Sequence, residues 1–183
     1  MFKQEEILIT KRLTLRPTCE VDLDDITHFL NDYDILKMTA NLPNPFKKSD
    51  ATDFIKRLKT NNGFLFSIIR ERLIGTISIN MADDKPVLGY WLAKPYWGKG
   101  YMSEALEAML NYAFETHLLN EIHADVFKDN PASLNLLQKF GFEVMGTSET
   151  FSKARCENIP EYLTQLKRNP KSQPKEDTYA LNS

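Results

Sequence analysis

From Gly89 to Ser103 the chain reads Gly89-Tyr90-Trp91-Leu92-Ala93-Lys94-Pro95-Tyr96-Trp97-Gly98-Lys99-Gly100-Tyr101-Met102-Ser103, a strand pattern halted by proline, then a loop bracketed by glycines, then the start of an amphipathic helix. Such a loop offers free backbone N–H groups at the positive end of a helix dipole, which is chemistry for an anion, and phosphate above all. Glycines let the backbone approach the anion, because no Cβ stands in the way. The Walker pattern is absent, and the third glycine of a dinucleotide fingerprint would fall at Ser103. A plain turn into a helix satisfies the same residues, so the loop by itself leaves both readings open.

The surrounding elements must hold that loop. Ile7 to Pro17 alternates in polarity, with Leu13 and Leu15 opposite Arg12, Thr14 and Arg16, and predicts a first strand closed by Pro17. Leu23, Ile26, Thr27 and Leu30 recur at helical spacing over 22–31, and Ser49 is placed to cap a second helix bearing Phe54, Ile55 and Leu58. Tyr33 to Lys48, with Pro43 and Pro45, reads as an irregular loop. Strand patterns over 64–69, 73–81 and 87–92 predict an antiparallel meander. Met102, Ala105, Leu106, Met109, Leu110, Ala113 and Phe114 form the apolar stripe of the next helix. A strand over 121–127, a helix over 131–140 ended by Gly141, a strand from Phe142 and a last strand over 159–167 complete an α+β order. We expect one domain over 1–168 and a flexible tail over 169–183, where prolines and charges leave little to bury.

Composition narrows the classes. A formal charge of −2 gives no electrostatic footing for nucleic acid or an anionic membrane. The sequence shows no membrane-length apolar run and no signal pattern, and Cys19 and Cys156 read as free thiols of a reducing cytosol. His28, His117 and His123 have no ligand spacing, so no metal is implied.

A second motif settles the loop. Asp129-Asn130-Pro131-Ala132-Ser133-Leu134-Asn135-Leu136-Leu137-Gln138-Lys139-Phe140-Gly141-Phe142, taken with Tyr96 to Ala105, resembles the GCN5-related N-acetyltransferases (GNAT), and is most similar to their ribosomal-protein N-terminal (alanine) acetyltransferase-like branch. The opening Thr10-Lys11-Arg12-Leu13-Thr14-Leu15-Arg16-Pro17 resembles the same branch. The likeness spans 7–168. It implies a GNAT fold, with a mixed, mostly antiparallel sheet of about seven strands and helices on both faces.

The resemblance also implies acetyl-CoA as cofactor and a primary amine as acceptor, attacked directly without a covalent enzyme intermediate. In the family pattern Gln/Arg-x-x-Gly-x-Gly/Ala, Gly100 keeps its place while Trp97 and Met102 depart from it. The phosphate grip belongs to main-chain N–H groups, so Trp97, Gly98, Lys99, Gly100, Tyr101, Met102 and Ser103 are the expected cradle. Met102 also fits the helix core. By the resemblance, Tyr90, Trp91 and Leu92 splay from the following strand and offer main-chain groups to the pantetheine, one N–H holding the thioester oxygen.

Asn130, beside the pantetheine in the family, is equally an N-cap before Pro131 at N1. The family's tyrosine acid aligns with Leu137, which carries no proton, and Ser133 is the expected substitute near the sulfur. Glu149 is the carboxylate to test first as general base, against the reading of a solvated surface charge. Tyr33 and Phe46, with Asp32 and Asp34, fit an amine-binding groove and fit an ordinary packed loop equally well. The acceptor reads as a protein N-terminal α-amine, with a small amine (amino acid, polyamine, aminoglycoside) or a non-catalytic acyl-CoA sensor as alternatives. A monomer and a homodimer both fit.

Overall fold

The computed structural model describes residues 6–60, 63–82 and 85–168. The expected tail, 169–183, lies outside them. The elements in order are β1 (Leu8–Ile9), β2 (Thr14–Pro17), α1 (Leu23–Leu30), α2 (Tyr33–Leu36), α3 (Lys48–Thr60), β3 (Phe64–Ile69), β4 (Leu73–Ala82) and β5 (Lys85–Leu92). They continue with α4 (Tyr101–Asn111, prolonged by a wider turn over Tyr112–Thr116), β6 (Glu121–Phe127), α5 (Pro131–Lys139), β7 (Glu143–Ser152) and β8 (Glu157–Lys167).

The described strands form one eight-stranded sheet in the order β1-β2-β3-β4-β5-β6-β8-β7. All pairs are antiparallel except β5 with β6. The count exceeds seven because the first predicted strand is a hairpin. Thr10 N–H donates to Leu13 O and Leu13 N–H donates back to Thr10 Oγ1, and the chain turns back there. Two further local differences have plain causes. Asp50 accepts from the Lys47 N–H, so the second long helix starts two residues earlier than the Ser49 cap predicts. Asp32 accepts from the Asp34 N–H and starts α2, a single helical turn inside the predicted loop.

Strand alternation divides the side chains between two cores. Leu15, Phe66, Ile68, Ile77, Ile79, Leu88, Ile122, Ala124 and Val126 meet α4 and α5 on one face. On the other face Leu65, Leu73 and Trp91 meet Ile26, Leu30, Ile35, Leu36, Phe46 and Ile55 of α1–α3 and the adjoining loop. We call these the α4 face and the α1 face. Each burial of a Leu, Ile or Phe contributes about 1.5–3 kcal/mol, so two filled faces fix the register of every strand between them.

One buried polar cluster ties β2 to β3. Asp22 lies 2.6 Å from Arg16 Nη2 and accepts from Ser67 Oγ at 2.8 Å and from the Cys19 N–H at 3.0 Å. Burial alone raises the Asp22 carboxyl, but the bonds from Arg16, Cys19 and Ser67 outweigh it and hold the group below the usual carboxylate range. A depressed native value gives stability that is whole above the unfolded value, near ~3.9, and is lost as pH falls through the native one. Asp22→Asn is expected to cost about 2–3 kcal/mol at neutral pH, because it strips the charge partner from a half-buried Arg16. Urea melts at pH 7 and pH 3 check this: the gap between wild type and variant should narrow at the lower pH.

Candidate active site

Strands β5 and β6 touch at a single parallel register, Val87 opposite His123, and then part. From there each pairs only on its outer side, β5 with β4 and β6 with β8. The inner edges, Leu88–Leu92 and Ala124–Phe127, therefore face one another with no strand pairing between them. A cavity of about 980 Å³ runs through this split and is lined by residues of β4, β5, β6, β8, α5 and the Trp97–Ser103 loop.

At one end lies the glycine loop. Gly98 and Gly100 stand at φ +70° and +77°, in the left-handed region that admits glycine most readily. The turn they make leaves the amides of Gly98 through Ser103 without a loop or cap hydrogen bond among the described residues. The first amide to close is that of Glu104, onto Gly100 O at 3.1 Å. Lys99 Nζ donates to Pro95 O and Trp97 Nε1 donates to Leu92 O, so both side chains brace the loop. Met102 is half-buried against the α4 core and also lines the cavity.

A clasp fixes this loop from behind. Glu104 accepts from Thr10 Oγ1 at 2.6 Å, from Arg12 N–H at 2.7 Å and from Arg12 Nε at 2.6 Å. Arg12 Nη1 then reaches Lys99 O at 3.0 Å, and its guanidinium lies 4.5 Å from the centre of the Tyr101 ring. The opening Thr10–Pro17 motif thereby acquires a task, since its turn holds the loop amides in one arrangement. Lysine cannot make this fork of contacts. Arg12→Lys is expected to weaken the loop's hold on an anionic ligand about five- to ten-fold, as a binding titration would show.

The other predicted residues fall as follows. Asn130 caps α5, its side chain accepting from the Ser133 N–H at 3.1 Å, and both residues line the cavity. Ser133 Oγ lies 2.8 Å from the Tyr90 hydroxyl. Burial pushes the Tyr90 phenol up to about 12, the Ser133 bond opposing it slightly. Leu137, 1% exposed, is core. Trp91 and Leu92 line the cavity too.

Three expectations are displaced. Glu149 is exposed and lies outside the cavity lining. Its face is set by a bulge: Val144 pairs with Thr164 but Gly146 pairs with Leu163, so one extra residue inverts the alternation of β7. Ser148 and Thr150 thereby turn to the α1 face and Glu149 turns away. Tyr33 is 48% exposed and Phe46 is 2% exposed within the α1 core, and neither lines the cavity. Asp34, Met38, Thr39 and Asn41 of the same segment do.

Two carboxylates appear in the place left by Glu149. Asp125 of β6 and Glu161 of β8 lie on the α1 face within the lining. Glu161 is 8% exposed, and among the described residues no cation sits against it. Burial raises its carboxyl first and the Asp125 charge raises it further, while the Ser148 side chain facing it across the strands opposes them. Asp125 is more open, yet its surroundings still raise it, chiefly by desolvation. Among the described residues no group of His, Cys, Asp or Glu is arranged to hold a metal, and no helix is long and apolar enough to cross a membrane.

Comparison with known proteins accords with this geometry. Residues 12–143 match the family described as "Acetyltransferase (GNAT) domain". The uncharacterized N-acetyltransferase p20 of Bacillus licheniformis is 32% identical over 171 residues, covering 88% of this chain and 96% of that protein. The ribosomal-protein-S5-alanine acetyltransferase of Vibrio fischeri superposes with a TM-score of 0.74 at 20% identity, over 92% of this chain and 100% of that one. An acetyltransferase of Salmonella typhimurium that modifies the N-terminal serine of ribosomal protein L7/L12 gives 0.75 at 16% identity, over 90% and 100%.

Proposed function

This chain belongs to the GNAT acetyltransferases and is an acetyl-CoA-dependent N-acetyltransferase, and from that premise we propose that its acceptor is the α-amine of a protein N-terminus. Acetyl-CoA supplies the acyl group as an activated thioester. The residues present fit it: free amides at Gly98–Ser103 for the pyrophosphate, and the open edge of β5 for the pantetheine. In this reading the main chain at Tyr90–Leu92 holds the thioester oxygen. Glu161 on the α1 face takes the proton of the attacking amine, with Asp125 keeping its carboxyl raised. Ser133 on the α4 face donates toward the leaving sulfur.

An α-amine, with an ordinary pKa near ~8, is partly neutral at pH 7, so a carboxylate of moderately raised pKa suffices as base. The Asp125–Glu161 pair also attracts a cationic amine before it loses its proton. The observation that carries the acceptor reading is the length of the polar floor. Thr76, Ser78 and Asn80 of β4 line the cavity beside Gly89 and Trp91, over four residues of strand, or about 13 Å. That is more surface than a single amino acid covers. A protein of the same fold that modifies the N-terminal serine of a ribosomal protein is in keeping with this reading.

The test is a panel of N-terminal peptides, polyamines and aminoglycosides with acetyl-CoA, read by thiol release and by the mass of the acceptor. The expected result is acetylation of peptides at the α-amine. Release with polyamines or aminoglycosides alone would overturn the N-terminal reading. Acetyl-CoA binding without release on any acceptor would favour a sensor.

A further inference from the structure

Two polar atoms on the α1 face lack partners. The indole Nε1 of Trp91, a side chain 6% exposed, has no hydrogen-bond acceptor, and Oδ1 of the half-buried Asn80 has no donor. Both residues line the cavity. A buried N–H or carbonyl left unpaired keeps its desolvation cost uncompensated, and a ligand that pairs it removes that cost. These two are of opposite kind, one donor and one acceptor.

Their spacing is fixed by the sheet. Trp91 pairs with Thr76, Gly89 with Ser78, and Val87 with Asn80. Asn80 and Trp91 therefore share a face, four residues apart along the ladder. Four residues of strand are about 13 Å, so roughly three to four residues of extended chain join the two positions. Trp91 lies toward the open end of the split and Asn80 toward its closed end, where Val87 meets His123. Asp125 and Glu161 flank the same floor from across the split.

We infer that this floor is a slot for extended peptide backbone, in which the Trp91 indole N–H donates to a carbonyl beside the reacting amine and the Asn80 side-chain carbonyl accepts an amide N–H farther along. The inference rests on the N-terminal reading and adds the chemistry of selection to it. A polyamine brings donors only and cannot satisfy the indole N–H. A free amino acid reaches one position and not the other. A peptide unit brings both a carbonyl and an N–H, and repeats them at the interval the strands set.

The experiment uses the full chain, acetyl-CoA and a length series with one N-terminal residue: the amino-acid amide, then the di-, tri- and tetrapeptide amides. For wild type, kcat/KM is expected to climb about ten-fold from the amino-acid amide to the tripeptide and then level off. Trp91→Phe is expected to raise the tripeptide KM about ten-fold, and Asn80→Leu to bring the ratio of tripeptide to amino-acid amide toward one. A far-ultraviolet circular dichroism spectrum matching wild type and a single cooperative melt report an intact fold for each variant. The wild-type series needs no variant and stands if one fails to fold. Peptides acetylated without dependence on length, or a ratio unmoved by both substitutions, would overturn the slot while leaving the N-terminal reading in place. A wild type that acetylates polyamines but no peptide of any length would overturn both.

Discussion

Glu161→Gln is expected to lower kcat about 100-fold while leaving the acetyl-CoA KM within about two-fold. The substitution keeps the shape of the side chain and its contact with Ser148, and removes only the capacity to take a proton. Wild-type activity should decline on the acid side as Glu161 protonates, at a pH above the ordinary glutamate range, because burial and the Asp125 charge both favour the neutral acid. Only the deprotonated carboxylate accepts the amine's proton, so a raised pKa moves this limb upward. Asp125→Asn removes a like charge from the neighbourhood and should shift the limb to lower pH without abolishing it. Glu149→Gln, on the opposite face of β7, should leave the profile where it is. A pH series of kcat at saturating acetyl-CoA and acceptor, on all four proteins, decides the assignment. An acid limb that survives in Glu161→Gln removes Glu161 as base.

The contrast between Glu149 and Glu161 marks what the sequence can and cannot carry. The glycine loop, the Asn130–Pro131 cap and the three-strand meander are local signals, written in residues within a few positions of one another, and the fold contains them as expected. The facing of a strand residue is a count of alternations, and one bulged residue reverses it. Counting from the core residue Phe142 without a bulge puts Glu149 on the α1 face. The extra residue at Met145 puts Ser148 there instead, against Glu161. Nothing in the local pattern of β7 announces this, although Gly146 beside the bulge is the kind of residue that tolerates one.

Asp125 and Glu161 were illegible for a related reason, since 36 residues of chain separate two side chains that only strand pairing brings together. Likewise Phe46 has the aromatic character of a groove residue and spends it in the α1 core. The Thr10–Pro17 motif was visible as a resemblance, but its clasp on Glu104 and Lys99 O needed the sheet to place β1 and β2 behind the loop.

Ser133→Ala is expected to lower kcat about 30-fold with acetyl-CoA affinity nearly unchanged, and Tyr90→Phe to lower it several-fold. The two should not add. With its pKa pushed up to about 12, the Tyr90 phenol keeps its proton at any pH at which the protein would be assayed. It is too weak an acid to protonate a thiolate itself, whose ordinary pKa is near ~8.5. A neutral phenol 2.8 Å from Ser133 Oγ can, however, donate to that oxygen and turn the serine's own hydrogen away from it, into the cavity. Tyr90 is then a positioning residue and Ser133 the group that meets the sulfur. The α5 cap survives both changes, because it uses the Ser133 backbone N–H and the Asn130 side chain. Once Ser133 is alanine the phenol has nothing left to orient, so removing it as well should leave kcat in the double variant equal to that of Ser133→Ala alone. Independent, multiplying losses would mean that Tyr90 acts by some route other than Ser133. An unchanged kcat in Ser133→Ala would remove the serine from the reaction, and the phenol with it.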